Sequence, residues 1–114
     1  MAFNNKIYLV DIEPVLDIQT GKNHLGIVKE TAVYADKQEV GIQEYYSATD
    51  NKITLQAVYE IPEYAYHGEK YILSEDRTKQ FEIYRVAKGR SLAYVKLPVK
   101  AVPQKYLLEG IQSG

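Results

Sequence analysis

The sequence predicts a mainly β chain: a small six-stranded antiparallel β-barrel with one short helix in a long loop. Three observations predict it. Six runs rich in aliphatic, aromatic and β-branched residues follow one another, turn-forming residues separate them, and several alternate apolar with polar side chains at a period of two. The plainest part is 64–97, YAYHGEKYILSEDRTKQFEIYRVAKGRSLAYVKL. There 71–73, 81–86 and 92–97 read as the strands of a meander. His67-Gly68-Glu69-Lys70 leads into the first, Glu75-Asp76-Arg77-Thr78 separates first from second, and Lys88-Gly89-Arg90-Ser91 separates second from third. Closing six strands on themselves removes the edges that a flat sheet exposes.

The earlier elements follow from periodicity. Along 6–19, Tyr8, Val10, Ile12, Pro14, Leu16 and Ile18 share one face, predicted to be the buried one. Asp11, Glu13, Asp17 and Gln19 share the other, with Ile7, Leu9 and Val15 as exceptions. Pro14 lacks the N–H that a ladder needs, so this strand is predicted to lie at an edge or to bend there. Residues 20–26 form a hairpin connection; their glycine spacing is wrong for a dinucleotide fingerprint, and no Gly-Lys-Ser/Thr ending is present. Strand 27–35 is apolar on both faces, which predicts a central or doubly covered strand.

Residues 36–52 break the pattern. Their ends are polar, 43–49 are predicted to form a turn or two of helix, and Val40, Ile42, Tyr45 and Tyr46 are the anchors. Loops of this length in a compact domain are functional or mobile. Alternation returns in 53–61, and Pro62 stops it. Beyond Leu97 come Pro98 and Pro103, then Tyr106-Leu107-Leu108, which either close over the barrel mouth or meet a partner; Gly110 and Gly114 predict fraying. The expected organisation is a barrel domain over 1–98 with a mobile loop at 37–52, followed by an extension over 99–114.

Composition narrows the function classes. A chain of 114 residues suits one domain, and 14 basic against 15 acidic residues give a net charge of −1, unlike a strongly basic nucleic-acid binder. The absence of cysteine excludes disulfides, thiolate metal sites and a cysteine nucleophile. MAFNNKIYLVDIEP has no long apolar run and no small-residue cleavage site, so an unexported chain without a membrane span is expected. Eleven tyrosines against two phenylalanines suit half-buried sheet faces or a subunit interface.

No residue set carries catalysis. His24 and His67 each sit in a glycine-containing turn without converging ligands, and Ser47, Ser74, Ser91 and Ser113 lie in no nucleophile elbow. Glu75-Asp76 and Glu60/Glu63 read as solvated acids. The expectation is no catalytic residue, no metal, no cofactor and no enzyme activity. Charge order is more informative. Residues 60–76 hold five acids and Lys70, a balance of −4, whereas 77–100 hold seven bases and Glu82, a balance of +6. Opposite charges on opposite flanks suit head-to-tail subunit contacts, with Glu63, Glu69, Glu75 and Asp76 facing Arg85, Lys88 and Arg90. The plainer alternative is that the two stretches neutralise each other within the sheet. A second functional reading, a small barrel that binds single-stranded nucleic acid, draws on Tyr84, Arg85, Lys88, Arg90, Tyr94 and Lys96.

The ordered set VYADKQEVGIQEYYSA, VYEI, YHGEKYILSED, FEIYRV and YVKL, covering 33–97, resembles the head-closure or head-tail adaptor proteins of long-tailed phages. Its more specific parts are Tyr34-Ala35, the Glu-Tyr-Tyr-x-Ala of 44–48 and the Tyr-x-Gly-x-x-Tyr of 66–71. The resemblance implies a small β-barrel, a monomer or a weak oligomer alone and assembled as a ring, typically of twelve subunits, below the portal and its adaptor. Such a ring extends and closes the channel for the phage DNA and offers the docking surface for the tail or tail-terminator protein. Its place is the virion, and the host cytoplasm during assembly. In relatives the long connection reaches toward the channel, which marks Lys37, Gln38, Glu39, Val40, Gly41, Ile42, Gln43, Glu44, Asp50 and Lys52 as gating candidates. Acids outnumber lysines in this segment, and a lumen poor in phosphate contacts would let DNA slide.

Overall fold

The computed structural model describes residues 3–41 and 53–108. Seven strands form one antiparallel sheet: β1 (Asn5–Leu16), β2 (Asn23–Gln38), β3 (Leu55–Pro62), β4 (Tyr71–Ser74), β5 (Gln80–Ile83), β6 (Ala87–Lys88) and β7 (Tyr94–Ala101). Two short 3-10 turns, Glu63–Ala65 and Gln104–Tyr106, are the helical elements among the described residues. The helix expected at 43–49 lies outside the described residues.

The strand order is β3-β2-β1-β4-β5-β7-β6, and β3 pairs with β7 as well. Pairing therefore runs from β1 through β2, β3, β7, β5 and β4 back to β1. The count is seven rather than six because the strand expected over 81–86 stops at Ile83 in β5, and a further two-residue strand, β6, follows it at 87–88. The cause lies opposite the gap. Tyr84 N–H donates to the Pro98 carbonyl at 2.8 Å. In an antiparallel strand a residue's N–H and C=O point the same way, so Pro98 offers no donor on that side and the ladder breaks there. Pro98 thus does not end the third meander strand; it lies fully buried inside β7.

Two apolar clusters share β1. Ile7 and Leu9 join Ala57, Tyr59, Ile61, Ile72, Phe81, Leu97 and Val99 in the main core inside the circuit. Val10, with Tyr8 and Ile12 beside it, packs on the opposite face against Tyr71, Leu73, Val102 and Leu108. The face predicted to be polar is therefore the one that carries Ile7 at 2 % and Leu9 at 0 % exposure. Both faces are dry because the segment after β7 crosses back over β1 and β4. Gln80, fully buried, ties that segment down: its Nε2 donates to the Tyr106 carbonyl at 3.1 Å, and its Oε1 accepts from Leu108 N–H at 2.9 Å. One side-chain amide thus replaces two rungs of a ladder, and Leu107 and Leu108 settle on this face of the sheet.

β1 and β2 pair along their whole length, from Asn5↔Ala35 to Leu16↔Asn23, with a bulge between Asp11 and Ile12 that leaves Val28 without a partner. The connecting turn is 17–22, closed by Asp17 N–H to the Lys22 carbonyl and by Gly21, whose φ of 71° suits glycine. His24 is consequently a strand residue opposite Val15, not a turn residue. β4 covers β1 from Ile7 to Val10, and β3 covers β2 from Asp36 to Gln38. Beyond these rungs, 12–27 stand as a two-stranded arm, in keeping with extents of 48 × 31 × 22 Å. Pro14 lies in this arm, where β2 is the one strand beside β1, so its missing N–H costs no ladder bond.

Candidate functional site

The charges sort into internal partners and outer surface. Glu60, on the outward face of β3, is fully buried. Arg90 covers it, with Nη2 3.3 Å from Oε1 and its own backbone N–H donating to Oε2 at 2.7 Å; Gln38 Nε2 adds a bond to Oε1 at 3.0 Å. Gly89 makes this approach possible, since a Cβ there would lie 2.7 Å from Glu60 Oε2 and 2.7 Å from the Tyr94 carbonyl carbon. The Arg90 guanidinium also lies over both Phe3 and Tyr94, at 4.7 and 4.6 Å, while those two rings stack at 5.4 Å. The sequence placed Arg90 at a subunit interface and Tyr94 in a base-stacking set, yet each makes close contacts within its own chain.

Glu69 is likewise fully buried within the chain. Oε1 accepts from His67 N–H at 2.7 Å, and Oε2 lies 3.7 Å from Lys29 Nζ and 4.0 Å from the His67 ring, with no hydrogen bond of its own. The Tyr-x-Gly-x-x-Tyr stretch builds this corner. Tyr66 hydroxyl donates to the Glu69 carbonyl at 2.9 Å, Gly68 has φ of 88°, and Tyr71 is buried in β4.

Asp76 holds its turn together, accepting from the Ser74 hydroxyl, the Thr78 hydroxyl and the Thr78 N–H at 2.7, 2.7 and 3.1 Å. Those bonds, Ser74 first, bring its carboxyl down to about 2. Arg77, at φ 61°, pairs with Glu30 at 2.7 Å and covers the Tyr8 ring at 4.3 Å; the Arg77 hydrogen bond lowers the Glu30 carboxyl below its ordinary range. Lys100 pairs with Glu82 at 3.0 Å. The Glu60–Arg90 and Glu82–Lys100 pairs neutralise acid with base inside the sheet. Glu63, Glu75, Arg85 and Lys88 are exposed.

Of the gating candidates, Lys37 and Gln38 are the last rungs of β2, and Glu39, Val40 and Gly41 follow. Ile42, Gln43, Glu44, Asp50 and Lys52 lie outside the described residues. Lys37, Glu75 and Asp76 come together with Lys6 and Lys79 around an opening whose floor is Ile7, Tyr59 and Phe81. Gln38, Glu39, Gly41 and Arg85 meet in a second hollow with Val58, Lys96 and Pro98. In each of these two hollows, residues that the sequence assigned to separate roles lie together.

Sequence reasoning missed two surfaces. One is the arm: Leu16 and Ile18, predicted to be buried, are 59 % and 91 % exposed. The other is a hollow of about 450 Å³ lined by Val86, Ala87, Leu92, Tyr94 and Val95, with Lys88 at its border. Leu92 there is 90 % exposed. Its one signal in the sequence is a leucine directly after the polar Lys-Gly-Arg-Ser turn.

Among the described residues, no group of three or more His, Asp or Glu side chains is arranged to hold a metal ion, and no helix is long and apolar enough to cross a membrane. No family model, no curated protein and no solved structure matches the chain.

Proposed function

We propose that the chain is a ring-forming structural subunit of a phage head-tail connector. In this reading the circuit of pairings is a small β-barrel, with β5 and β6 as one interrupted wall strand. Copies of it extend the DNA channel below the portal and adaptor, close it, and offer the tail its docking surface. The observation that carries the reading is the pairing of β3 with both β2 and β7. It brings the end of β2, Lys37 and Gln38, beside β3, on whose far side β7 pairs, so in this reading the base of the gating segment lies on the barrel wall. The ordered sequence elements lend further support, since Ala35 fills the core while Tyr34 faces out, and the 66–71 stretch forms the Glu69 corner.

The single-stranded nucleic-acid reading is disfavoured by the Phe3–Arg90–Tyr94 stack, which occupies the faces on which a base would lie. Electron microscopy of the protein mixed with the portal and adaptor proteins of the same genome tests the connector reading. The expected result is an added ring coaxial with the portal. Protein that stays monomeric and unbound at saturating concentration contradicts it.

A further inference from the structure

The molecule exposes apolar groups at two ends that cannot meet within one chain. The arm ends in the 17–22 turn, with Leu16 and Ile18 exposed on it. The hollow beside Leu92 lies against Tyr94, which stacks on Phe3 just before β1 begins. From Asn5 to Leu16 the strand runs away from that point by roughly 36 Å, at about 3.3 Å for each step. The β1–β2 ladder stays paired to Leu16↔Asn23, so the tip is held away from its own hollow.

The two ends also differ in charge. Residues 12–23 carry Glu13 and Asp17 against Lys22, whereas the charged residue lining the hollow is Lys88. At about 450 Å³ the hollow exceeds the roughly 150 Å³ cavity that accommodates a benzene ring. Two aliphatic side chains fit such a space.

We infer that the arm tip of one copy, through Leu16 and Ile18, seats in the Leu92 hollow of the next copy, with Glu13 and Asp17 beside Lys88. The contact is heterologous, joining two different surfaces, and repeats into a ring wherever the rotation closes. This rests on the ring reading and assigns its subunit contact. It also accounts for the exposure of Leu16 and Ile18 at the tip, beyond Ile12, Leu25 and Ile27, which pack on the second core cluster.

The chain has no cysteine, so single thiols report contacts cleanly. Ile18→Cys and Leu92→Cys chains are mixed and oxidised, alone and on the portal–adaptor complex, and the bonds are assigned by mass spectrometry. Both positions are about nine-tenths exposed, so neither substitution disturbs folding. The expected product is a mixed dimer bonded between positions 18 and 92, at least several-fold above the 18–18 and 92–92 dimers, with the double variant giving a ladder of linked chains. A ring seen by microscopy with no 18–92 bond, or with 18–18 and 92–92 bonds in equal measure, overturns this contact while the ring stands. A strong 18–92 bond in chains that never bind the portal supports the contact and overturns the connector reading. Neither ring nor bond overturns both.

Discussion

The body of the sheet and its arm are made from similar sequence and end in opposite environments. In β3, seven of the eight residues are buried or half-buried on both faces, because β2 and β7 flank the strand and Arg90 covers its outer side. In the arm, Leu16 and Ile18 continue the alternation begun by Tyr8, Val10 and Ile12, yet stand in solvent. The pattern is unbroken; the neighbours stop. A strand's periodicity says which side chains share a face, and only tertiary pairing decides whether that face is covered.

The largest effect expected on the body side is Leu97→Ala. Leu97 is fully buried in the main core, so the loss is about 2–5 kcal/mol of unfolding free energy in a denaturant titration. Ile18→Ala, the same kind of truncation on the arm, is expected to change stability by less than about 0.5 kcal/mol. Equal costs at the two sites would break the comparison.

Arg90→Ala comes next. It leaves the buried Glu60 carboxylate with Gln38 and a backbone N–H, at a cost of about 1–3 kcal/mol by the same titration. A comparable loss, about 1–3 kcal/mol, is expected for Gln80→Ala, which releases the segment that covers the second face of β1. Hydrogen exchange is expected to speed up at Leu108 and at the residues of β4 beneath it in that variant, with β3 unchanged.

The smallest effect is acid-dependent. The folded carboxyls of Asp76 and Glu30 lie below their ordinary values, so both stay charged in the native state when the unfolded chain begins to take up protons. The contribution of Asp76 is full above about pH 4 and falls away as pH drops toward about 2, and that of Glu30 is likewise lost on the acid side. Asp76→Asn is expected to flatten the stability profile in that window and to leave it unchanged near neutrality beyond the loss of the turn. An unaltered acid profile contradicts the role given to the 74–78 turn.

What could be read from the sequence was local. The meander of β4, β5 and β7 was legible because turn residues and β-rich runs sit side by side, and the β1–β2 hairpin was legible for the same reason. The closure through β3 and β7 joins residues about forty positions apart and leaves no local mark. The orientation of β1 was misread because its exceptions, Ile7 and Leu9, were core residues, and the cover over Val10 comes from the other end of the chain. The strand expected to end at Leu97 continues through Pro98 inside β7, and the missing Pro98 N–H faces the break between β5 and β6. For the candidate site, sequence order placed Glu69 and Arg90 on opposing surfaces, whereas each engages a partner in its own chain that lies 30 to 40 residues away. Charge order along a chain does not specify charge position on a fold.

The central claim is that the body is complete in one chain and the arm awaits a neighbour. Hydrogen exchange compared between the isolated protein and the same protein bound to the portal–adaptor complex tests it most directly. The account predicts fast exchange over 12–27 in isolation, slow exchange over β3 throughout, and a marked gain of protection in 12–27 on assembly. Protection over 12–27 that already equals that of β3 in the isolated protein, or that does not change on assembly, contradicts it.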